Sequence, residues 1–143
     1  MRLAILYGLL LLMPISGWGE EGSLPGRWRY YKKIHQGIEM PEGPNATLRM
    51  YFEFTPEGES HLYWHHEGDT DHCSRKGRYS VDGDFLVEEV VWVDPENTFS
   101  CSQDPDMHLG RRTRTHFYFK DGDFIIRFSL GDEILDLAWK RME

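Results

Sequence analysis

The residues of this sequence best suited to metal chemistry are histidines and aspartates clustered between positions 61 and 72, together with His108 in a later loop. The candidate ligands are His66, His72 and His108, together with Asp69 or Asp71. Imidazole and carboxylate groups bind zinc and copper, so these side chains could form a site if the fold brought them together. His61 and His65 would lie about 13 Å apart on an extended strand, too far to share one ion. Because no spacing matches a known metal signature, unconnected surface histidines are the alternative interpretation.

Signatures of nucleophilic or metal-assisted catalysis are absent from the sequence. Neither Gly-x-Ser-x-Gly nor His-Glu-x-x-His occurs, and no serine has an identifiable base beside it. The two cysteines, Cys73 and Cys101, are better explained as a disulfide than as nucleophiles. We therefore predict a protein that is not an enzyme and that needs no cofactor.

The first nineteen residues have the three parts of a secretory signal. Met1-Arg2 is followed by an apolar run over residues 3–15 and a small-residue exit at residues 16–19. The apolar run is shorter than the roughly 20 residues that a membrane-spanning helix needs. We expect cleavage after Gly19, a periplasmic or secreted protein, and no transmembrane segment after cleavage. A disulfide between the two cysteines is typical of such a compartment.

Composition limits the classes of partner. Removal of residues 1–19 takes away Arg2 alone and leaves 15 basic against 24 acidic residues, a net charge of −9. A nucleic acid or an anionic membrane is an unfavourable partner for such a chain, because phosphate binding needs a basic surface. The remaining length suits one modest domain.

Alternation of apolar and polar residues predicts an all-β domain, and no ten-residue stretch has helical spacing. Eight strands are expected at about residues 27–35, 46–55, 59–66, 73–81, 84–94, 112–120, 123–130 and 133–141. Their first six connections alternate between long and tight, beginning with the long one. In an up-and-down arrangement every second connection lies at the same end. The sequence therefore predicts an eight-stranded antiparallel β-barrel, with tight turns at a closed end and long loops at a mouth.

The turn Asp121-Gly122 indicates which side chains face the interior. Asp-Gly supplies the positive φ angles of a two-residue type I′ turn, which fixes strand register. This register pairs Phe119 with Phe124 on the inner face. It pairs Arg127 with Asp136 on the opposite face, where we expect a solvated ion pair.

The turn Asp82-Gly83 repeats the same signal and directs charges inward. Its expected register pairs Tyr79 with Leu86 and places Arg75 and Glu88 on the same, inner face. A similar argument from the turn at residues 55–58 directs Trp64 inward. Alternation along the first strand directs Tyr30 and Lys32 inward as well. The predicted ligand-contacting residues are Tyr30, Lys32, Trp64, Arg75, Tyr79, Glu88 and Trp92.

Two short motifs carry a resemblance to a known superfamily. Gly26-Arg27-Trp28 opens the first strand, and Trp139-Lys140-Arg141 closes the last. The chain resembles the calycins, and in particular small bacterial lipocalin-like domains, in which a basic residue from the end of the barrel packs over the tryptophan of Gly-x-Trp. The resemblance implies that Gly26, Trp28, Trp139 and Arg141 close the barrel. It also implies non-covalent binding of a small ligand.

The predicted function is binding of a small, largely apolar or amphipathic ligand inside the barrel. The inward charges would orient its polar head, for example a carboxylate; a self-satisfied Arg75–Glu88 ion pair is the alternative. Residues 20–25 form a short polar arm ahead of a barrel over residues 26–143. Small periplasmic protease inhibitors resemble this arrangement, so a protein partner bound through the arm or the mouth loops is a second hypothesis.

Overall fold

The computed structural model describes residues 22–40 and 46–143. The predicted signal peptide and the first two residues of the arm lie outside the described residues. The strands are β1 Gly26–His35, β2 Ile38–Glu39, β3 Leu48–Phe54, β4 Glu59–His66, β5 His72–Asp82, β6 Phe85–Val93, β7 Arg112–Lys120, β8 Asp123–Leu130 and β9 Glu133–Met142. Two short 3-10 helices, Phe99–Gln103 and Pro105–Met107, lie in the β6–β7 loop. No helix in the described ranges is long and apolar enough to span a membrane.

Eight of these strands close into an antiparallel barrel. Each pairs with its neighbour in chain order, and β1 pairs with both β3 and β9 to complete the ring. The two-residue strand β2 folds back on the end of β1 and lies outside the ring. The all-β prediction, the eight-stranded barrel and its up-and-down topology are confirmed.

The tight turns set the register in two of three predicted cases. Asp121 and Gly122 both have positive φ angles, +53° and +81°, and Phe119 pairs with Phe124 as expected. The turn at residues 55–58 pairs Met50 with Trp64, also as expected. At the third turn the prediction was wrong by two residues. The loop is Gly83-Asp84, so Glu88 rather than Leu86 lies opposite Tyr79.

A shift of two residues leaves the inner face unchanged, because side chains alternate with a period of two. Arg75 and Glu88 therefore still point into the barrel, as their burial shows. For these two residues only the partner assignments changed.

Two β-bulges reverse the alternation where the sequence shows no signal. The register of β1 against β9 shifts between Tyr30 and Lys32, so Lys32 lies beside Ala138 on the outer face. The register of β5 against β6 shifts next to Gly77, so Trp92 lies beside Lys76, also outside. A bulge inserts one unpaired residue and thereby turns the following side chain to the other face. The predicted inward orientation of Lys32 and of Trp92 is wrong for this reason.

The closed end of the barrel is filled by aromatic side chains. Trp28, Phe54, Phe124 and Trp139 are at most 2% exposed. Trp28 packs against Phe124 with ring centroids 5.4 Å apart. Rings tilted against one another at such distances attract beyond their simple burial. This end of the barrel is consequently a packed core.

The predicted disulfide is confirmed between Cys73, at the start of β5, and Cys101, in the β6–β7 loop. Both half-cystines are buried together with Met107 and in contact with Trp64. The bond therefore ties the longest loop to the mouth of the barrel.

On the outer face, Arg127 and Asp136 form a pair that is more buried than the sequence suggested. Arg127 donates two hydrogen bonds of 2.8 Å to the carboxylate, and the Tyr118 hydroxyl donates a third of 3.0 Å. Asp136 is only 5% exposed. The hydrogen bonds from Arg127, assisted by Tyr118, hold the pKa of Asp136 below its usual range.

Replacing Asp136 with asparagine is expected to flatten the loss of stability in acid. A carboxyl group whose pKa is lowered by folding stabilises the folded state above its unfolded pKa of about 3.9. That contribution disappears as the pH falls through the folded pKa. Urea unfolding at neutral pH and near pH 3 should show a smaller difference for Asp136→Asn than for the parent. Asp132→Asn, in the exposed β8–β9 turn, should leave the difference unchanged; equal curves for Asp136→Asn and the parent would contradict the assignment.

Candidate ligand-binding cavity

A cavity of about 740 Å³ occupies the mouth half of the barrel. Its apolar wall is formed by Leu48, Met50, Phe52, Leu62, Trp64, Leu86, Ile126, Phe128, Leu137 and Trp139. These residues lie on the inward-facing positions of β3, β4, β6, β8 and β9, where alternation places apolar side chains. Its volume lies within the range of about 300–1,000 Å³ typical of small-molecule sites.

A single buried ion pair lies in the wall of this cavity. Arg75 donates a hydrogen bond of 2.6 Å from Nη2 to Oε1 of Glu88, and the two residues are 4% and 5% exposed. The Ser60 hydroxyl donates to the other carboxylate oxygen, Oε2. Glu88 therefore has a partner on each oxygen, which a buried charge requires.

Gly77 provides the space in which this pair is held. A Cβ atom at Gly77 would lie 2.6 Å from the Ser60 hydroxyl and 3.2 Å from Cγ of Glu88. Both distances are shorter than ordinary van der Waals contact, so a side chain here would displace Ser60 or Glu88. The glycine thus allows Glu88 and Ser60 to meet inside the barrel.

Three buried nitrogen atoms beside the cavity have no hydrogen-bond partner among the described residues. They are Nε and Nη1 of Arg75 and Nε1 of Trp139. Arg75 lies 5.6 Å from the ring centre of Phe52, which gives its guanidinium an aromatic neighbour but no acceptor. All three atoms carry N–H donors, and an unpaired buried donor is costly. Two residues of the cavity wall, Arg75 and Trp139, therefore carry buried donors that lack acceptors among the described residues.

The mouth of the cavity is more polar than its interior. His66, Asp104, Asp106 and Arg111 line it there, and Arg111 forms an ion pair of 3.0 Å with Asp106. The disulfide-linked β6–β7 loop supplies the last three of these residues. Apolar walls beneath a polar rim suit a ligand whose bulk is removed from water.

The predicted metal site is not formed. His66 bonds to Thr47 at 3.0 Å, and His108 bonds to the backbone carbonyl of Ser102 at 2.9 Å. His72 lies 3.3 Å from Asp94. In the part of the chain that the structure describes, no three His, Cys, Asp or Glu side chains are placed to hold one metal ion. The hypothesis that the three histidines meet, with Asp69 or Asp71, is therefore not supported, and the alternative of unconnected histidines agrees with these positions.

Of the predicted ligand-contacting residues, Trp64, Arg75 and Glu88 line the cavity. Tyr30 packs edge-on against Trp139 at 5.7 Å and is not part of the lining described.

Tyr79 belongs to the closed end, below the cavity. Its hydroxyl donates a hydrogen bond of 2.6 Å to the Thr55 carbonyl. Burial, with a smaller contribution from the charge of Glu57, raises the pKa of its phenol. The phenol therefore acts as a neutral donor to the turn and takes no part in the cavity.

Sequence reasoning missed several cavity residues. Ser60 shares the inner face of β4 with Leu62 and Trp64, so the correctly predicted register of that hairpin could have identified it. Thr113 lies opposite Glu88, but the sequence offers no turn that fixes β6 against β7. Asp104, Asp106 and Arg111 at the mouth could not be found from the sequence, because they belong to a long loop without regular alternation.

Three of the four predicted barrel-closing residues, Gly26, Trp28 and Arg141, meet at the closed end, whereas Trp139 lines the cavity. The guanidinium of Arg141 lies over the Trp28 ring at 4.3 Å and donates a hydrogen bond of 2.9 Å to the carbonyl of Pro25. Gly26 has a φ angle of +139°, and a Cβ atom there would lie 2.4 Å from Nη1 of Arg141. Glycine at this position allows the guanidinium to approach the backbone closely.

The described part of the predicted arm packs against the same end of the barrel. Leu24 is 5% exposed within the aromatic core, and its carbonyl accepts a hydrogen bond of 2.8 Å from Nε1 of Trp28. The carbonyl of Ser23 accepts another from Arg141. Residues 22–25 are thus part of the packed domain, in contrast to the free arm expected from the sequence.

Comparison with known proteins agrees with this architecture. A crystal structure of a lipocalin-like protein from Bacteroides uniformis superposes with a TM-score of 0.53 and 13% sequence identity, over 83% of this chain and 98% of that protein. The sequence matches no family model, and no curated protein matches it. At this identity the likeness establishes the fold alone. The chain has a lipocalin-like β-barrel fold, and the resemblance expected from its sequence is confirmed at the level of the fold.

Proposed function

We propose that this protein binds a small, largely apolar ligand non-covalently in the cavity of its barrel. The observation that carries the proposal is the cavity itself, whose apolar walls surround one buried ion pair. Burial of a ligand's apolar surface would supply the affinity, at roughly 25 cal/mol for each Å² removed from water. The polar groups of the wall would orient the ligand and select it. A lipocalin-like fold is consistent with this role.

We propose further that the protein acts outside the cytoplasm. Residues 1–19 have the pattern of a secretory signal, and Cys73 and Cys101 form a disulfide. Disulfides persist mainly in oxidising compartments such as the periplasm or the cell exterior. Mass spectrometry of the protein from its own host would test this, because an intact Met1 would contradict the proposed cleavage.

Filling the cavity with a bulky side chain is expected to abolish ligand binding. Met50 lines the cavity and is only partly buried, so Met50→Trp places an indole in the ligand's space. We expect the affinity for the neutral fluorescent probe N-phenyl-1-naphthylamine to fall at least about tenfold, because the probe and the indole cannot occupy one volume. Fluorescence titration measures the loss.

The neighbouring residue provides a matched control. Arg49 does not line the cavity and forms an ion pair with Glu67 on the outer side of the barrel. Arg49→Trp adds the same indole one residue away and should bind the probe as the parent does. Equal affinities for Met50→Trp and Arg49→Trp would show that the probe binds elsewhere and would overturn the proposed site.

A further inference from the structure

We propose that the head group recognised in this cavity is an uncharged hydrogen-bond acceptor, such as an ester or ketone carbonyl, and not a carboxylate. The inference rests on the proposed function, because it specifies the ligand of the same cavity. Two observations carry it: the unpaired donors beside the cavity, and the electrical neutrality of the Arg75–Glu88 pair.

The first observation is that the unpaired atoms are all donors. Nε and Nη1 of Arg75 and Nε1 of Trp139 are buried without partners among the described residues, and both side chains line the cavity. Neither guanidinium nor indole nitrogen can accept a hydrogen bond. A ligand that satisfies them must supply an acceptor, since a hydroxyl or amine hydrogen would find no free partner on these groups.

The second observation is that the charge of Arg75 is already compensated. Glu88 lies 2.6 Å from its Nη2 atom, and both side chains are 5% exposed. A ligand carboxylate beside Arg75 would bring a second negative charge next to Glu88 and leave an uncompensated charge in an apolar interior. Burial of such a charge costs several kcal/mol. A carbonyl oxygen can accept from the same N–H groups without adding charge.

Three matched probes test the inference in the unmodified protein: methyl decanoate, sodium decanoate and undecane. Each is titrated against bound N-phenyl-1-naphthylamine at neutral pH. We expect methyl decanoate to displace the dye at a concentration at least about tenfold lower than either of the others, because a hydrogen bond to a charged donor is worth about 1.5–3 kcal/mol. Tighter binding of decanoate, or equal binding of undecane, would overturn the inference but leave the apolar site intact. Failure of all three probes, with no binding of the dye, would instead overturn the proposed function.

Two variants locate the head group. Trp139→Phe removes the indole donor and keeps an aromatic ring, so the preference for methyl decanoate over undecane should fall about fivefold. Phe128→Leu, elsewhere in the same wall, should leave that ratio unchanged. Glu88→Gln removes the compensating charge and should shift the preference toward decanoate. An unchanged ratio in Trp139→Phe would remove Trp139 from the head-group site, and an unchanged preference in Glu88→Gln would contradict the role of neutrality.

Discussion

Replacing Glu88 with alanine is expected to lower the free energy of unfolding by about 3–5 kcal/mol. Glu88 is the ionic partner of Arg75, and both side chains lie inside the barrel at 5% exposure. Its loss would leave the guanidinium charge buried and would unpair Nη2, in addition to Nε and Nη1, which already lack partners. Urea unfolding monitored by circular dichroism would measure the change.

The double variant Arg75→Met, Glu88→Leu separates the loss of the ion pair itself from the cost of leaving the Arg75 charge buried without a partner. It removes both charges together and keeps a similar volume in the wall. We expect its stability to equal or exceed that of the parent, because apolar replacement of a buried ion pair is often neutral or stabilising. A loss below about 1 kcal/mol in Glu88→Ala would contradict the desolvated position of Arg75, since a guanidinium that reaches water does not need its partner. If the double variant is more stable than the parent, the ion pair lowers the stability of the natural protein. A pair that lowers stability would favour a role for Arg75 and Glu88 in ligand selection.

Replacing Trp28 with alanine is expected to cost about 3–5 kcal/mol of stability. Trp28 is 1% exposed and packs between Phe124 in the core and Arg141 at the closed end. Its indole also donates a hydrogen bond to the carbonyl of Leu24, which holds the preceding segment to the barrel. The substitution would therefore open a cavity and release two contacts together. Thermal unfolding should show a correspondingly large fall in Tm.

Trp92→Ala is the matched control for that experiment. Trp92 is 39% exposed on the outer face, where its ring lies 5.3 Å from the ammonium group of Lys76. Removal of an exposed ring should cost below about 1 kcal/mol. Equal losses for the two tryptophan variants would contradict the assignment of Trp28 to barrel closure.

The strands of this barrel were predictable because each follows from a few neighbouring residues. Alternation identified all eight, and the turns at residues 55–58 and 121–122 fixed the register on either side of them. Turn geometry depends on local φ angles, which glycine and its neighbours determine without reference to the rest of the fold. The inward direction of Arg75 and Glu88 followed from the same local rule, even where the predicted strand register was wrong by two residues.

The errors arose where distant strands decide the conformation. The bulges near Tyr31 and Val91 accommodate the pairing of β1 with β9 and of β5 with β6, and no residue type in the sequence marks them. They moved Lys32 and Trp92 from the predicted interior to the surface. The histidines failed to meet for a similar reason, because each formed a bond with the strand or loop beside it.

The amino-acid sequence by itself determined the eight barrel strands, the closed end and the charged pair that faces inward, because alternation and turn chemistry act over a few residues. The disulfide was predicted from the presence of two cysteines behind a secretory signal. Only the tertiary structure decided that a cavity of about 740 Å³ remains above the aromatic core and that its unpaired buried atoms are donors. Empty volume and missing hydrogen-bond partners are properties of side chains from many strands packed together. For that reason our proposal replaces the carboxylate head group, which the inward charges suggested, with an uncharged acceptor, because Arg75 is already paired with Glu88.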